Sequence, residues 1–267
     1  MPRYALTVEY DGVPFVGWQI QSEGLTVQGV LQEAIFRFCG ERVLAKGAGR
    51  TDAGVHALGQ VVHFDLEKDW EASRVREAIN FHLKPHPVVG LDCRKVSSAF
   101  DARFTAKERH YLYRILNRPT RPVLVHNRVW WIIHPLDVKR MHEAAQHLVG
   151  LHDFTTFRAV NCQAQSPLKT LNSCDVEKQG NEIVIKTSAR SFLHHQVRSM
   201  VGSLKLVGEG VWQPADLFAA LKACDRRRCG PVAPACGLYL VRVDYSDERI
   251  SQSTEQIFLH SKHEGLV

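Results

Sequence analysis

Two neighbouring stretches, "RYALTVEYDG" and "TVQGVLQEAIFRFCG", carry different hydrophobic periods, and this switch most constrains the fold. The first alternates apolar and polar residues, as a half-buried strand does. In the second, Val27, Val30, Leu31, Ala34, Ile35 and Phe38 share one helical face, with Thr26 as N-cap and Gly40 as stop. Further on, "QVVHFDL" reads as a strand, "EASRVREAINFHL" as a helix and "VVGLDCRKVSS" as extended. With one further strand between the helices, the order is strand, helix, strand, strand, helix, strand. It suits an α+β arrangement, a mainly antiparallel sheet with helices packed on one face.

The second half repeats this grammar without visible identity. "RHYLYRILNR" and "VWWII" read as strands, and "DVKRMHEAAQHLVG" as a helix ending at Gly150. "LNSCDVEKQGNEIVIKTSAR" reads as a hairpin turning at Gln179, Gly180 and Asn181. "HHQVRSMVGSLKLVGEG" is a second amphipathic helix with Val197, Met200, Val201 and Leu204 inward, "DLFAALKACD" a shorter one, and "GLYLVRVDY" a final strand. The expectation is two similar α/β halves, 1–105 and 106–245, followed by a polar tail over 246–267 that carries no pattern.

Composition narrows the class. Of 267 residues, 45% are hydrophobic, enough for a substantial core. No long apolar run predicts a membrane span, and the N-terminus enters a strand pattern without a signal-peptide core, so the expected location is the cytoplasm. Seven cysteines, odd in number and scattered, read as free thiols rather than a zinc site. The net charge is +6, and Arg94, Lys95, Arg103, Lys107, Arg109, Arg114, Arg118, Arg121 and Arg128 crowd one tract opposed only by Asp101 and Glu108. Such a tract reads either as a footprint for nucleic acid or as cations paired within the fold.

The stretch "GAGRTDAGVHALGQVVHFD", residues 47–65, sets Arg50, Thr51 and Asp52 in a glycine-flanked turn at the mouth of a strand. A turn aspartate commonly bonds its own backbone amides. An aspartic-protease reading lacks a second such tripeptide to supply the partner carboxylate. A metal site built from Asp52, His56, His63 and Asp65 has no recognised ligand spacing. A guanidinium beside a carboxylate keeps it ionised where water is excluded, and such a group serves as nucleophile or base. Arg198, on a helix with an apolar inner face, is a candidate partner from another segment, though its local pattern equally suits a surface arginine. Tyr111 and Tyr113 share a strand face within the basic tract, which suits core packing or a stacking platform for a base. "HDFTTF" reads as a loop docked by its aromatics.

Seven segments together resemble the TruA-type tRNA pseudouridine synthases: "YDGVPFVGWQIQ", "TVQGVLQEAI", "GAGRTDAGVHALGQVVHFD", "RHYLYRI", "DFTTFRA", "FLHHQVRSMVGSLKLVGEG" and "GLYLVRVDY". They occur in order from near residue 4 to near residue 245, and "GRTDAGVHA" is the most specific. The resemblance implies an isomerase that converts uridine to pseudouridine at nucleotides 38, 39 and 40 of the tRNA anticodon stem-loop. It implies a homodimer that uses no cofactor and no metal. By motif position, Asp52 is the nucleophile, attacking the ribose C1′ or the uracil C6. Arg50 fills the space left by the flipped base, Tyr111 stacks on the target uracil, and Arg198 pairs with Asp52. The sequence departs from the pattern at Gln196, where a methionine is usual, and at Lys84, where an apolar residue is expected before proline. A rival class, a basic RNA-binding protein without chemistry, has no need of Asp52, Tyr111 and Arg198 together. A metal-dependent nuclease would need clustered acids that the sequence does not show.

Overall fold

The computed structural model describes residues 1–246; the remainder of the polar tail lies outside the described residues. The described residues form two compact units, one of residues Met1–Arg109 with the chain from Tyr239 onward, the other His110–Leu238.

In the first unit, β1 (Arg3–Tyr10) leads through α1 (Val27–Cys39), β2 (Lys46–Gly47), β3 (His56–Asp65) and α2 (Ala72–Leu83) to β4 (Val88–Val96). This is the expected order, and every element but the two-residue β2 answers to a periodic segment of the sequence. Strand β1 lies between β4 and β3 and is antiparallel to both, with Leu6 opposite Val62 and Cys93. Thr26 caps α1 as expected: its hydroxyl accepts the Gly29 amide at 3.2 Å, and Gly40 ends the helix at φ 77°. Helix α2 packs on β4 and beside α1. The half-buried expectation for β1 fails over its middle, because Thr7 is buried along with its apolar neighbours. Strand β3 likewise is covered on both faces, burying Gln60 and His63. Within β3 the buried polar residues Gln60 and His63 both make side-chain hydrogen bonds.

The second unit runs from β5 (Glu108–Asn117) and β6 (Trp130–Ile132) through α3 (Val138–Gln146) and β7 (Gly150–Asp153) to β8 (Leu168–Gln179) and β9 (Glu182–Ala189). Helices α4 (Gln196–Gly208) and α5 (Pro214–Ala223) follow. Strands are ordered β5-β9-β8-β7, with β6 parallel to β5. The β8–β9 hairpin turns at Gly180 and Asn181, one residue tighter than the sequence suggested. Helix α3 stops at Gln146 rather than Gly150, which instead opens β7 at φ 105°. Val197, Met200, Val201 and Leu204 are all buried on α4 as expected. Phe154 and Phe157 are fully buried, so "HDFTTF" is indeed docked by its rings. The chain ends its described course in β10 (Leu238–Asp244), which returns to the first unit and runs parallel to β3, Tyr239 opposite His56. All seven cysteines are free thiols. Burial pushes Cys93 and Cys174 up to about 12, so neither is a thiolate at neutral pH.

Candidate active site

The Asp52 loop is built on a stem. β2 pairs with β3, the Ala48 amide donates to the Val61 carbonyl at 2.8 Å, and the buried Gln60 amide grips Gly49. Gln60 Nε2 donates to the Gly49 carbonyl at 2.8 Å and its Oε1 accepts the Gly49 amide at 3.3 Å. Beyond the stem, Arg50 is exposed, Thr51 buried and Asp52 half-buried. The Asp52 carbonyl accepts the Val55 amide at 3.2 Å, closing the turn.

Residues 10–18 brace this loop from beneath. The Tyr10 hydroxyl and Thr51 Oγ1 lie 2.8 Å apart in the interior. The Trp18 amide donates to the Thr51 carbonyl at 3.0 Å. The Gly12 amide donates to His56 Nδ1 at 3.1 Å, and His56 stacks on Tyr239 with ring centroids 4.7 Å apart. A Cβ on Gly12 would lie 2.1 Å from the Val55 carbonyl oxygen, so only glycine permits this approach. These contacts bind the backbone on both sides of Asp52. They give "YDG" and "GW" a role that sequence reasoning left unassigned. Their signal was present as family motifs, but neither carries a reactive group, and only tertiary contact reveals a brace.

The histidines weighed as metal ligands have separate duties. His63 Nδ1 accepts the Ala102 amide at 3.0 Å, and Asp65 grips Arg3 at 2.7 and 2.8 Å. Burial lowers the affinity of His63 for a proton, outweighing the nearby Asp101. Arg3 hydrogen bonding holds the Asp65 carboxyl below its usual range.

Tyr111 and Arg198 belong to the second unit, whereas Arg50 and Asp52 belong to the first. Tyr111, on β5, is buried edge-on against Phe192, centroids 5.1 Å apart. Tyr113, two residues along, is a core residue whose hydroxyl donates to the Pro234 carbonyl at 2.7 Å, and burial pushes its phenol far up. Both tyrosines are thus buried, Tyr113 fully and Tyr111 against Phe192. Arg198 is half-buried on α4, and its Nε donates to the Ala233 carbonyl at 2.8 Å. The Ala233 amide donates back to the Arg198 carbonyl at 3.0 Å. One turn along, a Cβ on Gly202 would lie 1.7 Å from the Pro231 oxygen, so the 231–233 segment lies directly on the helix that carries Arg198. The departing Gln196 is satisfied in the core, its Oε1 accepting the Leu193 amide at 2.8 Å.

The basic tract proves mixed. Arg94 pairs with Asp92, Lys95 with Asp69, and Arg114 grips Glu182 through two hydrogen bonds. Arg109 is buried and donates to the Ala48 carbonyl through Nε at 3.1 Å and Nη2 at 2.7 Å. Arg103, Lys107, Arg121 and Arg128 are exposed. Part of the tract thus neutralises acids or holds the backbone, and the remainder faces outward.

The comparisons with known proteins agree on one family. The family model described as tRNA pseudouridine synthase matches residues 6–105 and 144–246. The chain is 61% identical over 245 residues to tRNA pseudouridine synthase A of Xanthobacter autotrophicus, covering 92% of this chain and 100% of that protein. It is 56% identical over 249 residues to the protein of that name from Agrobacterium fabrum, covering 92% of this chain and 94% of the relative. For Beijerinckia indica the identity is 55% over 258 residues, covering 97% and 99%. With the Asp52 loop intact and the match running across both units, this chain belongs to the tRNA pseudouridine synthase family.

Proposed function

We propose that this protein isomerises uridine to pseudouridine at positions 38, 39 and 40 of the tRNA anticodon stem-loop, with Asp52 as nucleophile. The observation that carries the reading is a half-buried carboxylate beside an exposed arginine, on a loop whose backbone is held on both sides. A braced loop keeps the carboxylate in place without reorganisation during the reaction.

The target uridine lies in or beside a stem and must leave the stack, which costs a few kcal/mol. Arg50 enters the space that it vacates, and cationic contacts to phosphates offset the remainder. The Asp52 carboxylate attacks the flipped nucleotide, and the C1′–N1 bond breaks. The uracil turns, its C5 bonds to C1′, the bond to Asp52 breaks and returns the carboxylate, the C5 proton leaves, and N1 gains a proton. Substrate and product are isomers, so no oxidant, reductant or carrier is consumed. Tyr111 stacks on the uracil and offers its hydroxyl for the C5 proton. Arg198 pairs with Asp52 and favours the ionised carboxylate. The enzyme works as a homodimer in the cytoplasm, each tRNA touching both subunits. Among the described residues no helix is long and apolar enough to cross a membrane.

The test is to map pseudouridine in tRNA transcripts carrying a single uridine at 38, 39 or 40. Conversion confined to these nucleotides supports the reading. Conversion elsewhere in the tRNA, with none in the anticodon arm, overturns the site assignment while keeping the chemistry.

A further inference from the structure

The turn that follows β4 has no part in the mechanism above, yet its backbone is held unusually firmly. Asp101 Oδ1 accepts the amides of Arg103 at 2.8 Å and Phe104 at 3.0 Å, and the Asp101 carbonyl accepts the Thr105 amide at 3.0 Å. The Ala102 amide donates to His63, and the Ala102 carbonyl accepts the Tyr245 hydroxyl at 2.6 Å. The Arg103 carbonyl accepts Nη2 of buried Arg109 at 2.7 Å. That same guanidinium holds the Ala48 carbonyl, two residues before Arg50. One buried cation therefore fixes this turn relative to the stem of the Asp52 loop.

On this fixed turn Phe104 is 73% exposed, with the Arg103 guanidinium 5.4 Å from its ring centroid. A single exposed phenylalanine is ordinary in itself. Here, however, the backbone on either side is already bonded, so turning the ring inward by moving the backbone would break the hydrogen bonds of the turn. The surroundings are cationic. Arg103, Lys107 and Lys46 are exposed, and Lys46 is close enough to disfavour protonation of His63 and Asp101. The one acid of the turn, Asp101, spends its oxygen on backbone amides. Burial pushes that carboxyl up, but the amides of Phe104 and Arg103 outweigh it and keep the group ionised. An aromatic face set among cations suits RNA, since bases stack on exposed rings while cations meet phosphate. Phe104 and Arg103 alone would also suit a protein interface, but the exposed Lys46 and Lys107 beside them do not suit its core, where lysine is depleted.

We propose that the Asp101–Thr105 turn is an RNA contact in which Phe104 stacks on an unpaired tRNA base and Arg103 meets the adjoining phosphate. The proposal rests on tRNA being the substrate. Its test is tRNA binding at several salt concentrations by wild type, Phe104→Leu, Phe104→Trp and Arg103→Ala. Loss of stacking should weaken binding by Phe104→Leu about fivefold or more, and Phe104→Trp should restore it. Arg103→Ala should reduce the salt slope by about one. At saturating enzyme the single-turnover rate should stay within about twofold of wild type for each variant. Wild-type affinity in Phe104→Leu overturns the proposal. So does a changed mass in sedimentation with unchanged affinity, which would make the turn a contact between copies of the chain. If wild type itself makes no pseudouridine while Phe104→Leu binds tRNA more weakly, the contact stands and the catalytic reading fails.

Discussion

Gly12→Ala is the sharpest perturbation of the brace under Asp52. The substitution adds one carbon and no charge, outside every group assigned to the chemistry. That carbon would meet the Val55 carbonyl oxygen at 2.1 Å and the Val55 carbonyl carbon at 2.5 Å. Both are backbone atoms, so no rotamer change can relieve the overlap. Clearing it requires the loop and β1's end to part by about 1 Å, and a displacement of that size at a reacting group costs on the order of 100-fold in rate. The Val55 amide closes the Asp52 turn, so the displacement passes directly to the carboxylate. The assay is single-turnover release of tritium from tRNA labelled at uridine C5, with tRNA affinity and thermal unfolding measured alongside. The expected result is a rate about 100-fold below wild type, affinity within about twofold, and a cooperative unfolding transition. A folded Gly12→Ala protein reacting at the wild-type rate would refute the brace. Should the variant fail to fold, Tyr10→Phe removes a single hydroxyl from the same brace and still reports on it.

Tyr10→Phe and Thr51→Val should each destabilise the protein by about 1 kcal/mol or more, and the double variant should lose less than their sum; strict additivity in urea unfolding would deny the 2.8 Å bond any share. Gly202→Ala should displace the segment that holds Arg198 and lower kcat more than tRNA affinity, since its Cβ meets the Pro231 oxygen at 1.7 Å; equal loss of both would point to general unfolding. Stability should fall on acidification below about pH 6.5, because an unfolded histidine takes up a proton there that buried His63 resists. A further loss should follow below about pH 4, as Asp65 and Asp101, ionised in the fold by their partners, are forced to protonate. His63→Asn keeps an acceptor for the Ala102 amide but cannot titrate, so its melting temperature should decline less between pH 7 and 5.5; an unchanged slope would acquit His63.

Much of this was legible in the sequence where a local rule governs. Thr26 and Gly40 bound α1 because capping depends on residues within one turn. The order of helices and strands followed from the switch in hydrophobic period. Exposure along β1 and β3 was not legible, since Thr7, Gln60 and His63 look like solvent-facing residues until the elements covering them are known. The return of β10 to the first unit was hidden for a similar reason: strand pairing between distant segments leaves no periodic trace. In the site, Asp52 and Arg50 stood out through their glycine-flanked motif. Tyr10, Gly12 and Trp18 did not, because their work is done by a hydroxyl, an absent side chain and an amide aimed at a loop far along the chain. Arg109 is one of nine cations in a tract that reads either as a nucleic-acid footprint or as pairing within the fold, and charge alone could not reveal that its guanidinium holds the Ala48 and Arg103 carbonyls.

The most direct test of the account is tritium release from tRNA labelled at uridine C5 by wild type and Asp52→Ala, at saturating enzyme and without added metal. Stoichiometric release by wild type and none by Asp52→Ala, with tRNA still bound by both, is the expected result. Equal release by the two proteins would contradict Asp52 as the nucleophile.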